Sequence, residues 1–181
     1  MQSLHIVSAY DEELQYLSKR IAAMGGHAER MVEQSVSALV ASDPDLAGKV
    51  VADDVVLDEG QREIDDKAIL LIAKRQPMAK DLREIVGVIR ISADLERVGD
   101  LAKNVAKRVA SVSDGRQPTS LFRGIEALSD LALTQLKEVL DVYASRSVDT
   151  ISFVRDRDDQ IDAMYTSLFR ELLTYMMEDP R

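Results

Sequence analysis

Shifted by 104 positions, the chain lies on itself without a gap. Met24 falls on Leu128, Ala28 on Ala132, Val32 on Leu136 and Val36 on Leu140. Further along, Val50 falls on Val154, Asp54 on Asp158, Leu57 on Ile161, Asp58 on Asp162 and Ile64 on Leu168. A register held over that length marks two copies of one supersecondary unit. Each copy is written at helical spacing. The first helix is expected over about Ser8–Ser42, with Leu14, Leu17, Ile21, Met24, Ala28, Val32, Ser35 and Leu39 on one face. Gly25 and Gly26 weaken its middle and make a kink possible there. Ser42-Asp43-Pro44 ends that helix and caps a second, over about Pro44–Lys74, which buries Leu46, Val50, Leu57, Ile64, Ala68 and Leu71.

Arg75-Gln76-Pro77 breaks the second helix, and a third follows over about Ala79–Val112. The polar stretch Ser113–Thr119 separates this unit from a fourth helix, about Ser120–Ala144, and a fifth, about Val148–Met177. Helix four carries Leu121, Ile125, Leu128, Ala132 and Leu136; helix five carries Ile151, Val154, Ile161, Leu168 and Leu172. The expected domains are therefore a three-helix bundle over 1–113 and a second, incomplete bundle of two helices over 118–181. A residue mix of 46% hydrophobic and 30% charged, with only 8 Gly, 4 Pro and 4% aromatics, suits helix-on-helix packing better than a sandwich.

Within the third helix Leu82, Ile85, Val86, Ile89 and Ala93 form an apolar stripe that runs on into Glu96, Asp100 and Asn104. On this reading a carboxylate pair one turn apart stands where a core helix carries leucines. Burying it unpaired is costly, so a positive group must meet it. If helices two and three turn back at Gln76-Pro77, residues whose numbers sum to a constant lie level. Asp54 then faces Asp100 and Asp58 faces Glu96, with Asp54 and Asp58 expected at the edge of their own stripe. The same exercise at Asp43 brings Glu29 and Glu33 near that level, although their counterparts in the repeat are Leu133 and Lys137.

Acidic pairs at this spacing are common on solvated helix faces. Arg62, Arg75, Arg97 or Lys103 could also neutralise a buried acid without any metal. The alternative is a metal layer, and all-oxygen donors suit Mg²⁺, Ca²⁺, Mn²⁺ or ferric iron. The two histidines, His5 and His27, do not follow a glutamate by three, which disfavours a di-iron oxidase. His27 reads as an ordinary packing histidine. There is no phosphate-binding glycine loop or nucleophile elbow. With no cysteine, disulfides and thiolate chemistry are excluded, and a net charge of −9 argues against nucleic acid. No signal peptide and no apolar run of about 18 residues is visible, so a soluble, cytoplasmic protein is expected.

Three stretches, MGGHAE (Met24 to Glu29), LIAKRQPMAKDLR (Leu70 to Arg83) and DLERVGDLAKNVAKR (Asp94 to Arg108), resemble the PhoU family of phosphate-signalling regulators. The resemblance implies an all-α fold of two tandem antiparallel three-helix bundles, in agreement with the repeat. It implies multinuclear iron or zinc at Glu/Asp-x-x-x-Asp motifs, here Asp54 with Asp58, Glu96 with Asp100, and Asp158 with Asp162. It also implies a negative regulator of the phosphate regulon, bridging the ATPase of a phosphate ABC transporter and a sensor histidine kinase. Family members carry a second ERxGDxAxN-type helix. By the repeat, its acids would fall near positions 200 and 204, so the second bundle is expected to lack its third helix. A homodimer that covers the groove left between helices four and five is the corresponding expectation. The competing readings are a carboxylate metal-storage protein or metal-dependent enzyme, and a plain helical scaffold.

Overall fold

The computed structural model describes residues 2–112, 119–146 and 151–178, which form five α-helices and no strand. These are α1 (Gln2–Ala41), α2 (Pro44–Arg75), α3 (Lys80–Val112), α4 (Thr119–Ser145) and α5 (Ile151–Glu178). The main departure from the expected bounds is α1, which starts six residues earlier. The polar break at 113–118 lies outside the described residues.

Local chemistry sets the turns. Asp43 caps α2: its Oδ1 accepts from the backbone N–H groups of Asp45 and Leu46, both at 2.9 Å, ahead of a proline in the first turn. Gln76 closes α2 in the left-handed region, φ 47° and ψ 55°, and donates its backbone N–H to Ile72 O at 3.0 Å. Pro77 then prevents the helix from continuing.

Helices α1, α2 and α3 pack against one another as the first bundle. Its core holds Leu17, Ile21, Met24 and Met31 of α1, Val50, Leu57, Ile64 and Leu71 of α2, and Ile85, Val88, Leu95 and Val109 of α3. Two serines enter this core with their hydroxyls bonded in their own turns, Ser35 to Val32 O and Ser92 to Ile89 O, each at 2.8 Å. They therefore leave no unsatisfied donor.

Helix α4 packs on α5 and also along α1. Leu136, Leu140 and Tyr143 lie against the first bundle's core. Gly25 explains this seam. A Cβ there would stand 2.5 Å from Leu140 Cδ1, so glycine lets α4 approach, and α1 runs on through it as one helix. In the α4–α5 unit Leu121 is buried, while Ile125, Leu128, Ala132, Leu136, Val154, Ile161 and Leu168 are half-buried and Leu172 is exposed. The side chain of Ile151 lies outside the described residues. An apolar groove of about 390 Å³ opens between Leu39, Val105, Leu121, Phe122, Tyr165 and Phe169. It is walled by α1 and α3 as well as by α4 and α5, so it is wider in origin than the expected two-helix groove.

Candidate functional site

The register of α3 corrects the sequence reading. Its buried line is Ile85, Val88, Ser92, Leu95, Gly99, Ala102, Ala106 and Val109. Leu82 and Val86 are exposed, Glu96 and Asp100 are half-buried at the border of the core, and Asn104 is exposed. The stripe is thus rotated by about one residue, ~100° of helix. Gly99 allows it: a Cβ there would collide with Leu57 Cδ1 of α2, so the two helices meet closely at that level.

Asp54 is corrected in the opposite sense. The spacing places it at the edge of α2's apolar stripe, yet it sits within the buried line Ala47, Val50, Asp54, Leu57, Gly60, Ile64, Ala68 and Leu71. Its side chain is only 10% exposed. The buried acid of the first bundle is therefore on α2, and the positive group that meets it comes from α3.

That group is Lys103. Its Nζ donates both to Asp54 Oδ2 and to Asp100 Oδ1, the latter at 2.6 Å and one turn away on α3. One ammonium thus ties Asp54 and Asp100 into a single layer at the height set by the Gln76-Pro77 turn. Lys103 is held well above its ordinary pKa, first by the hydrogen bonds to Asp100 and Asp54, against the opposing effect of desolvation. Asp58 adds an i,i+4 contact to Arg62 at 3.6 Å on the solvent side. Glu96 completes the layer. Burial pushes its carboxyl above the usual range, and the charges of Asp100, Asp58 and Asp54 push it further while Lys103 pulls it back.

The remaining candidates lie elsewhere. Glu29 lines a cavity of about 840 Å³ on the α4 side of α1, with Lys19, Lys80 and Lys137, and Glu33 is exposed. Asp158 and Asp162 are exposed on α5; Gln135 Nε2 of α4 donates to Asp158 Oδ1 at 3.4 Å. His27 is a packing histidine. Its Nε2 lies 3.2 Å from Asp53 O on α2 and its Nδ1 3.1 Å from an Arg30 guanidinium nitrogen, so it ties α1 to α2 beside the layer.

The donor chemistry of the layer suits a hard cation, but its arrangement does not. Among the described residues no three His, Asp or Glu side chains are grouped so as to hold a metal ion. Asp54 Oδ2 and Asp100 Oδ1 are both engaged by Lys103. The sequence counted Lys103 as one of four possible neutralisers. Its position three residues after Asp100, on the side facing Asp54, is the signal that singles it out.

The family model described as "PhoU domain" matches residues 21–109 and 125–181. A protein of Rhizobium meliloti (strain 1021), described as a phosphate-specific transport system accessory protein PhoU homolog, is 65% identical over 181 residues, all of this chain and 76% of that protein. A protein of Caulobacter vibrioides (strain NA1000 / CB15N) with the same description is 45% identical over 98% of this chain and 77% of its own length. The crystal structure of PhoU from Pseudomonas aeruginosa superposes with a TM-score of 0.89 at 34% identity, covering 95% of this chain and 82% of that one.

Proposed function

The chain belongs to the PhoU family, and on that premise we propose that it regulates phosphate uptake and phosphate-starvation signalling as a helical adaptor. The observation that carries this reading is the 65% identity, along the whole chain, to a protein named as an accessory of the phosphate-specific transport system. Relatives are named as accessory proteins of the phosphate-specific transport system and not as enzymes.

The finer reading is that the chain bridges the ATPase subunit of a phosphate ABC transporter and the sensor histidine kinase of the phosphate two-component system, and restrains the kinase while phosphate is plentiful. What supports it is the accessory role named for the relatives and the form of the molecule. Two helical units are joined along the α1–α4 seam, and each presents exposed apolar side chains, Ile69, Met78 and Leu101 on one and Phe169, Met176 and Met177 on the other. Among the described residues no helix is long and apolar enough to cross a membrane. A homodimer paired through the exposed face of α5 belongs to the same proposal, since apolar patches of this kind on water-facing helices mark contact sites. A two-way pull-down tests the adaptor reading, with tagged kinase and tagged transporter ATPase each offered the purified protein. Capture by both supports it, and capture by neither removes it. Light scattering at tens of micromolar tests the dimer.

A further inference from the structure

The acidic layer gathers Asp54, Asp58, Glu96 and Asp100, and such a layer demands a cation. We propose that Lys103 is that cation: its ammonium, bonded to Asp54 of α2 and Asp100 of α3, takes the place between them that a metal ion would fill.

The geometry carries this. Lys103 is not a loose surface lysine, because its side chain is only 20% exposed and lies across the α2–α3 interface. Two of its three N–H donors are spent on carboxylates from two different helices, the bridging task otherwise given to a metal. A divalent ion would need the same oxygens at ~2.0–2.6 Å, and it would meet a fixed positive charge within hydrogen-bonding distance of them. Arg62 cannot play this part, since it is 70% exposed and reaches only Asp58. This sets the chain against the metal-binding expectation for Asp54, Asp58, Glu96 and Asp100. Asp158 and Asp162, on the exposed side of α5, are not part of the layer.

The test is equilibrium dialysis of the purified protein against Mn²⁺ and, separately, Zn²⁺, with bound metal counted by elemental analysis. The variants are Asp54→Asn with Asp100→Asn, Lys103→Met, the triple combination, and Lys103→Arg. The proposal expects the wild type and the double-Asn variant to bind the same amount of metal. It expects Lys103→Met to gain about one ion per chain that the triple variant does not hold, and Lys103→Arg to match the wild type. Metal on the wild type that the double-Asn variant loses would overturn it. So would a Lys103→Met protein that is folded by circular dichroism and gains nothing. If Lys103→Met does not fold, the wild type against the double-Asn variant decides alone: equal metal supports the proposal, and loss overturns it.

Discussion

Replacing Lys103 by Met strands the acid that the first bundle buries. Removing one partner of a fully buried ion pair costs about 3–5 kcal/mol, because the remaining charge is left uncompensated. An exposed pair is worth about 0–1 kcal/mol. Here the Asp54 side chain is 10% exposed and that of Asp100 is 46%, so the first contact lies near the buried limit and the second near the surface one. Some of the penalty is relieved by water at the edge of the layer. The expected loss is about 2–3 kcal/mol. For a chain of this size that lowers the melting temperature by about 5–10 °C. Thermal and urea melts at pH 7, with a chelator present, read the effect. A second substitution, Asp54→Leu, should recover most of it in the Lys103→Met background, since a buried ion pair can often be replaced by apolar side chains at little cost. If Lys103→Met melts within about 2 °C of the wild type, a change of no more than about 1 kcal/mol, or if adding Asp54→Leu lowers stability further, Lys103 does not neutralise Asp54.

Glu96→Gln should stabilise the protein at pH 7 by about 0.2–0.5 kcal/mol, the value of removing one like-charge contact a turn away on a helix. Because the folded-state pKa of Glu96 is raised above 4.5, the native form binds this proton more readily than the unfolded chain, and wild-type stability falls as pH rises through the window above 4.5. The advantage of Glu96→Gln should therefore vanish in urea titrations taken below that value. Gly25→Leu should cost a net ~1–2 kcal/mol, overpacking against Leu140 outweighing the helix propensity gained, and Leu140→Ala in the same chain should restore part of the loss in denaturation midpoint. Asp43→Ala should cost about 1 kcal/mol by freeing the N–H groups of Asp45 and Leu46, with faster amide exchange confined to the first turn of α2.

The helices and the α2–α3 hairpin were legible because proline, the capping aspartate and helical periodicity are local signals. The height of the carboxylate layer followed from counting back from Gln76-Pro77, and the structure joins Asp54 to Asp100 through one ammonium. Which acid is buried was not legible. Periodicity reads core from large apolar side chains, and Leu82 and Val86 drew the α3 stripe onto a face that is partly exposed. The true line uses the small residues Ser92, Gly99, Ala102 and Ala106, and at Gly99 a Cβ would meet Leu57 of α2. Asp54 escaped for the complementary reason, since an aspartate on a core line looks like an edge until its lysine is found. Counting at Asp43 fixes height and not direction, and Glu29 lines the cavity on the α4 side of α1.

The regulatory role is tested most directly in cells lacking the endogenous gene and carrying a phosphate-starvation promoter fused to a reporter, grown in plentiful phosphate. The deletion should leave the reporter switched on, and expression of this chain should return it to the repressed level. A reporter that stays off in the deletion strain would contradict the role, as would one that this chain, present at normal abundance, does not repress.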